Sequence, residues 1–408
     1  MRFLHIYFAF AAGYLLSYLY RTVNAVISPE LVRDLALNPS SLGLLTSAYF
    51  LAFAAMQVPV GVLLDRYGPR RVEPVLLAIA AGGAALFAFA ETLTGLVIAR
   101  AVIGAGVCAC LMAPLKALAA WYPPDRQASY AGWIMVAGGI GALAATVPLE
   151  IALRFTHWRV VFIALSIVTL AVAAAIWWRV PDIAKPTNLG SIATQFAGVR
   201  RVLVHPRFWW IAPLGAFVMG SFMAIQGLWA VPWMMEVDGG TRAFAANHLL
   251  LMNAVIMVGY AALGFFGMPL ARRGIHPRHL FAGGYALNLC ALALIVMRVP
   301  GGYVWWSIYG LGAAVNVLAF TVLNEGFGSD LAGRTNTSLN LLMFVGSFVT
   351  QWGIGVLIDT VRVAYGLDTA GGLRVAFTVI LAGGIVTFLW FLRGWNRYSV
   401  HAPIPAVA

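Results

Sequence analysis

Charged residues are scarce in this sequence. Asp, Glu, Lys and Arg make up 10% of the 408 residues, whereas 62% are hydrophobic. A soluble domain cannot bury that much apolar surface, so the composition excludes an ordinary soluble protein. The apolar stretches are roughly 20 residues long, the length of a transmembrane helix, and they lack the alternation of barrel strands. We therefore expect an all-α polytopic membrane protein.

Cysteines and catalytic patterns are also few. The three cysteines, Cys108, Cys110 and Cys290, all fall inside apolar stretches, which gives no basis for a disulfide framework. The sequence has no phosphate-cradling glycine loop and no pair of carboxylates within one span. These absences argue against an ATP-driven pump or an enzyme, and no cofactor is expected. The first apolar stretch lacks a small-residue cleavage site, so we expect it to remain as a helix.

Acidic residues are outnumbered by basic ones. The chain has 14 acidic and 26 basic residues, which gives a formal net charge of +12. Such a charge could indicate a nucleic-acid partner, but the basic residues lie in short loops between apolar spans. With both termini in the cytoplasm, the cytoplasmic loops hold about twice as many basic residues as the opposite loops, in line with the positive-inside rule. The expected partner is the lipid bilayer, with no nucleic acid, and we expect a monomer.

The apolar spans fall into two halves. We count twelve spans, and the longest polar interruption follows the sixth. The sequence predicts an N-terminal six-helix bundle at residues 1–180, a cytoplasmic linker at 181–207 and a C-terminal six-helix bundle at 208–408. The loop at 61–71, after the second span, is echoed at 267–274, after the eighth. Two matching halves are the organisation of a transporter that rocks one half against the other.

Three motifs connect the chain to a known family. Residues 61–71 read Gly-Val-Leu-Leu-Asp-Arg-Tyr-Gly-Pro-Arg-Arg, which resembles the signature loop between the second and third helices of the major facilitator superfamily. Arg100-Ala-Val-Ile-Gly104-Ala-Gly106 resembles the fourth-helix motif of that family, and Gly138-Gly-Ile-Gly141 is a shortened form of its fifth-helix glycine motif. The resemblance covers essentially the whole chain. It implies the major facilitator superfamily fold, with 12 transmembrane helices in two six-helix halves.

The signature loop also carries the candidate gate. Asp65 stands at a helix end beside Arg66, Arg70 and Arg71. A charge-assisted network of these residues could clamp the two halves on the cytoplasmic side in one state and release them in the other. The alternative is a solvated loop that only sets topology. In the second half Ala271 replaces the acid, so we expect the second copy of the clamp to be degenerate.

Two pairs of soft donors stand out in spans 7 and 8. Met219-x-x-x-Met223 and His248-x-x-x-Met252 each place two donors on one helix face. Thioether sulfur and imidazole nitrogen suit copper, and sulfur selects Cu(I). The two spans run antiparallel with the pairs at similar depth, so the four side chains could form a ladder. The alternative is that the methionines fill gaps and the histidine is a hydrogen-bonded core residue.

These pairs resemble a particular branch of the superfamily. Together with the stretch at 226–233, Gln-Gly-Leu-Trp-Ala-Val-Pro-Trp, they are similar to the copper-binding motifs of the CcoA-like transporter family. The resemblance implies a secondary transporter that imports copper across the bacterial inner membrane by alternating access and supplies cbb3-type cytochrome oxidase assembly. Copper would be the cargo, bound by Met219, Met223, His248 and Met252, and both termini would be cytoplasmic.

A different cargo is indicated by Arg21. It lies well inside the first span, where many organic-anion members of the superfamily carry a substrate-binding arginine. The alternative function is therefore a riboflavin or organic-anion transporter that uses Arg21 with aromatic residues such as Trp229, Trp233 and Tyr260. Riboflavin is the cargo of a sister group of the copper importers. Arg21 could instead extend to the outer interface or pair with an acid such as Glu150.

Two further possibilities concern the whole protein. A membrane-embedded sensor or assembly factor could keep the fold without net transport. If transport is coupled to protons, His248 and Glu150 are the candidate carriers.

Overall fold

The computed structural model describes residues 2–122, 124–182, 192–325, 327 and 332–395. Every regular element within these ranges is helical, as predicted. Among the described residues, ten helices are long and apolar enough to cross a membrane, and one bent helix pair makes an eleventh span. The N-terminal helix, with 34 residues, is long enough to be the twelfth. Residues 183–191 of the predicted linker and 396–408 of the predicted C-terminal bundle lie outside the described residues.

The first half contains nine helices that form six spans. Spans 2, 4 and 5 are each built from two helices in succession. The helices are α1 (Arg2–Leu35), α2 (Pro39–Ala55), α3 (Gln57–Tyr67), α4 (Pro69–Phe89), α5 (Leu93–Val107), α6 (Met112–Trp121), α7 (Pro124–Ala144), α8 (Val147–Leu153) and α9 (Trp158–Arg179).

The second half begins after a short helix in the predicted linker. Span 7 consists of α11 and α12 with two π-helical segments, Ile225–Trp229 and Trp233–Val237. Span 10 contains α15 and α16, joined by a 3₁₀ turn, Ala314–Val317. The helices are α10 (Ile192–Leu203), α11 (Pro206–Ala224), α12 (Ala230–Pro232), α13 (Arg242–Arg272), α14 (Pro277–Val296), α15 (Gly302–Ala313), α16 (Leu318–Asn324), α17 (Ala332–Tyr365) and α18 (Thr369–Arg393).

Prolines explain the breaks in the first half. Span 2 bends by 47° where α2 meets α3, and Pro59 follows three residues after the junction at Met56. Span 4 is interrupted between α5 and α6, just before Pro114. A proline cannot donate to the carbonyl four residues earlier, and its ring clashes with that carbonyl. The carbonyl that Pro114 leaves without its helical donor belongs to Cys110.

The two halves meet along three helix contacts. Helix α1 packs on span 7, α2 packs on α17, and α7 packs on α13. Glycines allow the closest crossings within the halves. A Cβ atom added at Gly220 would lie 2.8 Å from the carbonyl carbon of Gly346, so α11 and α17 cross backbone to backbone. In the first half, Gly141 lies against the carbonyl oxygen of Leu15 in the same way.

Candidate functional site

One end of the bundle, called here the Glu30 end, is closed by ion pairs between the halves. Arg242, at the start of α13, pairs with Glu30 at the end of α1. Its guanidinium also lies 3.7 Å from Glu150 of α8. Arg154 pairs with the same Glu150 at 2.9 Å. Because Arg242 belongs to the second half and both acids to the first, these pairs hold the halves together.

A backbone contact closes the same end on its other side. The amide nitrogen of Ser40, at the start of α2, donates to a carboxylate oxygen of Asp359 in α17 at 2.8 Å. Asp359 is also the acid beside Arg362, one turn further along α17. The Glu30 end is therefore sealed on two sides by polar contacts between the halves.

The opposite end, called the Asp65 end, holds the four predicted gate residues. Asp65 pairs with Lys116 of α6. Asp182 accepts a hydrogen bond from Arg71 at 3.1 Å and lies 3.6 Å from Arg70. The Arg66 guanidinium lies 5.4 Å from the centre of the ring of its neighbour Tyr67. Lys116 and Tyr67 belong to the first half, and Asp182 follows its last helix by three residues. These contacts therefore join the first half to itself and to the start of the linker.

Arg21 lies at the interface of the halves inside an aromatic cluster. It is 6% exposed, and its guanidinium carbon lies 4.5 Å from the centre of the Tyr18 ring. The rings of Phe53 in α2 and Phe344 in α17 lie 5.5 and 5.3 Å away. Tyr49 completes the contact, with its hydroxyl beside the guanidinium. The cluster therefore combines residues of both halves around one buried cation.

No described carboxylate compensates the charge of Arg21. No ion pair within 4.0 Å joins it to an acid in the described part of the chain, and its Nε atom has no hydrogen-bond partner there. The predicted alternative partner, Glu150, is occupied by Arg154 and Arg242. A buried cation is costly, and aromatic rings offset only part of that cost. The site is therefore electrostatically suited to an anion.

Amide side chains surround the same region. Asn24, one turn beyond Arg21 on α1, donates to Thr46 at 3.0 Å, while its own carbonyl oxygen has no described partner. Gln226 in span 7 donates to Asn253 in α13. Both polar atoms of the buried Gln351 side chain in α17 also lack described partners. Such groups can bind hydroxyls of a polar cargo.

The three aromatic residues expected to help Arg21 occupy different environments. Trp229 is 2% exposed and donates to the carbonyl of Gln351 at 3.0 Å. Trp233 is fully buried, and its ring centre lies 4.4 Å from that of Phe377. Tyr260 is close enough to Arg21 to interact with it electrostatically. Of the three, Tyr260 is the one that faces the cluster.

The predicted copper ligands contact two different helices. Met223 of α11 accepts a hydrogen bond from Ser347 of α17 at 3.4 Å, and Met219 packs at the margin of the core one turn earlier. On α13, the ring of His248 stacks on Tyr303 with their centres 3.6 Å apart. Met252 lies against Gly310 of α15. The Met pair thus faces α17, whereas the His-Met pair faces span 10.

The imidazole of His248 is also engaged by its own helix. Its Nδ1 atom lies 2.9 Å from the carbonyl oxygen of Phe244. Among the described residues, no group of three or more His, Cys, Asp or Glu side chains is placed to hold a metal ion. The environment of His248 is that of a hydrogen-bonded and stacked histidine.

Sequence reasoning missed several residues of this site. Tyr18 precedes Arg21 by three residues on the same helix, so helical spacing could have indicated their contact. Phe344 could not be found this way, because it reaches Arg21 only through the packing of α17 on α2. Arg242 carried a weaker signal, namely a basic residue at the start of a span on the same predicted side as Glu30.

Comparisons with known proteins agree with this architecture. A sequence model described as Major Facilitator Superfamily matches residues 10–351. The chain is 31% identical over 378 residues to the hexuronate transporter of Escherichia coli (strain K12), which covers 86% of each protein. It is 29% identical over 157 residues to the probable sulfoacetate transporter SauU of Cupriavidus necator, covering 38% of this chain and 36% of that protein.

A solved structure gives the same fold. The bacterial homolog of the human lysosomal transporter Spinster, in an inward-facing and unoccupied conformation, superposes with a TM-score of 0.77 at 17% identity and covers 98% of both chains. This likeness shows the fold, whereas the family match and the hexuronate relative identify the chain as a multi-pass secondary transporter and not an enzyme. The protein belongs to the major facilitator superfamily.

Proposed function

We propose that the protein transports an organic anion of the sugar-acid class by alternating access, with Arg21 binding the anionic group. The observation that carries the proposal is the buried guanidinium of Arg21, which lies between the halves without a described carboxylate partner. An anion bound there would supply the missing charge and could accept bidentate hydrogen bonds.

The composition of the site supports a cargo that is both charged and hydroxylated. The aromatic rings of Tyr18, Phe53 and Phe344 offer faces on which a sugar ring can pack. The polar atoms of Asn24 and Gln351 that have no partner among the described residues offer hydrogen bonds to hydroxyls. Hexuronate and sulfoacetate, which name two relatives, are both organic anions.

The charge distribution of the loops supports an orientation. We place the Asp65 end and both termini in the cytoplasm of a bacterium and the Glu30 end in the periplasm, with the monomer embedded in the inner membrane. In that orientation the structure is closed toward the periplasm, and the direction of net transport is import.

Copper import has less support than organic-anion transport. The relatives described above are named for organic anions. The Met pair contacts α17, whereas the His-Met pair contacts span 10. Bound-metal analysis of the purified protein with and without His248→Ala remains the direct test of the copper prediction.

The proposal predicts that Arg21 governs anion transport. Proteoliposomes containing the wild-type protein should take up radiolabelled D-galacturonate or D-glucuronate but not the neutral sugar D-galactose. Replacing Arg21 by Ala should weaken uptake by about 10- to 100-fold, because hydrogen bonds to charged groups contribute about 1.5–3 kcal/mol. Arg21→Lys should recover part of the activity, since it keeps the charge but loses the guanidinium geometry.

Arg33→Ala is the matched control. It removes an arginine from the exposed end of the same helix, where the side chain is 72% exposed, and uptake should stay at the wild-type rate. Equal uptake by the Arg21→Ala variant and the wild type would refute the assignment of Arg21. Failure of the wild type to carry any hexuronate would refute the cargo class.

A further inference from the structure

Glu73 is the most deeply buried acid in the described part of the chain. It lies one turn into α4 and is fully buried. A Cβ atom added at Gly13 would lie 2.7 Å from its Oε1 atom, so the carboxyl group touches the backbone region of α1. On its other side lies the thiol of Cys110. The carboxyl group is thus enclosed between α1, α4 and the break in span 4.

The surroundings of Glu73 contain no compensating charge. Neither carboxyl oxygen has a well-formed hydrogen bond within the described residues, and no basic side chain there lies within 4.0 Å. The facing titratable groups are Cys110 and, behind it, Cys108. Helix α1 presents Gly13, and Lys116 of α6 pairs with Asp65.

The helices packed most closely on α4 are α5 and α9. No charged residue of either acts on Glu73 among the described residues, and the buried Arg100 of α5 donates to the carbonyl of Tyr20. An ionised carboxylate in such surroundings would be very costly. The enclosed state therefore favours the neutral carboxylic acid.

Glu73 lies against the break in span 4. Cys110 belongs to the break between α5 and α6, where Pro114 leaves the Cys110 carbonyl without its helical donor. A small cavity of about 10 Å³, about the room of one water molecule, lies one turn away toward the Asp65 end and is lined by Phe10, Pro114 and Trp121, among others. Breaks of this kind often act as hinges.

The two proton carriers predicted from the sequence, Glu150 and His248, both have polar or aromatic partners. Glu150 is engaged by Arg154 and Arg242, and His248 is engaged by the Phe244 carbonyl and the Tyr303 ring. Within the described part of the chain, Glu73 has no such partner.

We propose that Glu73 is a proton-binding site that couples proton movement to transport. An O–H bond forms on a Glu73 oxygen with a proton from water on one side of the membrane, and it breaks when that proton passes to water on the other side. Loss of the proton leaves a carboxylate that must gain water, which requires α1 and the break in span 4 to move apart. Helix α1 carries Arg21 eight residues further along, so this movement reaches the anion site.

The identity of the cargo in this coupling rests on the function proposed above, but proton binding by Glu73 does not. The first experiment therefore uses no cargo. Infrared difference spectra of the purified wild-type protein, recorded while pH is varied above about 6, where exposed carboxyl groups are already ionised, should show the carbonyl stretch of a titrating carboxylic acid. Glu73→Gln should lack that band, and Glu91→Gln, at an exposed acid just beyond the same helix, should keep it.

The second experiment measures coupling in proteoliposomes. With radiolabelled D-galacturonate, an imposed pH gradient should drive accumulation by the wild type and by Glu91→Gln. Glu73→Gln should lose accumulation while it still exchanges external for internal D-galacturonate at equal concentrations. Glu73→Asp, which keeps an acid, should retain part of the accumulation and serves if the Gln variant does not fold.

Each outcome decides one claim. A titrating acid band that persists in Glu73→Gln, or accumulation by that variant at the wild-type level, would overturn the assignment of Glu73. If the wild type shows the band but carries no hexuronate, the proposed cargo fails while the proton site stands.

Discussion

At the scale of single residues, function depends on neighbours that lie far away in the chain. Arg21 and His248 both stand out in the sequence as polar groups inside apolar spans. In the structure, Arg21 meets aromatic rings of α2 and α17 and keeps its charge uncompensated by any described acid. His248 is satisfied by Phe244 and Tyr303. The sequence locates such residues, but it cannot separate their roles, because these neighbours come from other helices.

A residue-level prediction concerns Asp34, near the end of α1 at the Glu30 end. Burial raises the pKa of this carboxyl, but hydrogen bonds from Trp158, Arg33 and His157 outweigh burial and leave the pKa below its ordinary value. A depressed pKa means that the folded state is stabilised at pH values above the ordinary aspartate pKa of about 4, and that this stabilisation is lost as pH falls. Asp34→Asn should therefore be less stable than wild type at pH 6, and the difference should shrink toward pH 3.

Thermal unfolding in detergent, followed from pH 3 to pH 6, measures this difference. The control must be an acid without a structural role. This excludes Asp368, because its side chain caps α18. Glu91→Gln, an exposed substitution, should leave the curve unchanged. A gap between Asp34→Asn and wild type that stays constant with pH would contradict the expected role of the carboxylate.

At the scale of helices, hydropathy predicted the spans but not their breaks. Span 4 reads as one apolar stretch, yet it is two helices, α5 and α6. The cause is visible in the sequence as Pro114, but a proline can kink, break or merely begin a helix. Whether the helix kinks, breaks or begins there depends on which side chains pack beside the proline. Here Glu73 and Cys110 lie at that place, and their contact follows from packing.

Replacing Pro114 by Ala should restore a donor to the Cys110 carbonyl. If α5 and α6 then join into one continuous helix, we expect the variant to be more stable by up to about 3 kcal/mol, the cost of a proline inside a helix. We also expect transport to slow by roughly two- to tenfold, because a straightened span 4 loses its hinge. Thermal unfolding and initial uptake rates measure the two effects in the same preparation.

Pro69→Ala provides the matched comparison. Pro69 begins α4, where a missing backbone donor costs nothing. Both stability and rate should therefore stay near the wild-type values. A Pro114→Ala variant that is more stable yet transports at the wild-type rate would show that the break does not act as a hinge.

At the scale of the whole molecule, the two ends differ in which parts their ion pairs join. The sequence correctly predicted the fold. It did not indicate Arg242, Glu30 and Glu150 as the pairs between the halves, because these residues come from three helices that are far apart in the chain. The conformation that a transporter adopts depends on such contacts between distant helices, and local sequence patterns do not reveal it.

Removing Arg242 should open the Glu30 end. Arg242→Ala leaves Glu30 without its partner from the second half, so we expect the population of the Glu30-open state to rise roughly fivefold, equivalent to about 1 kcal/mol. Spin labels placed on the two halves at this end would measure the change as a distance distribution. The charge-reversed double variant Arg242→Glu with Glu30→Arg should restore much of the closed population.

The control for this experiment is Arg374→Ala, because that arginine is exposed on α18. Its distance distribution should match the wild type. An unchanged distribution in Arg242→Ala would mean that the ion pairs do not hold the end closed.

The polar face of α1 has a consequence for how the protein is made. Arg21 and Asn24 lie inside this helix. An arginine at the middle of a helix disfavours membrane insertion by about 2.5 kcal/mol or more. Its ring partner Phe344 lies in α17, which the ribosome synthesises more than 300 residues later. The first helix is therefore held stably in the membrane only after one of the last helices has been synthesised. The two halves complete their assembly together.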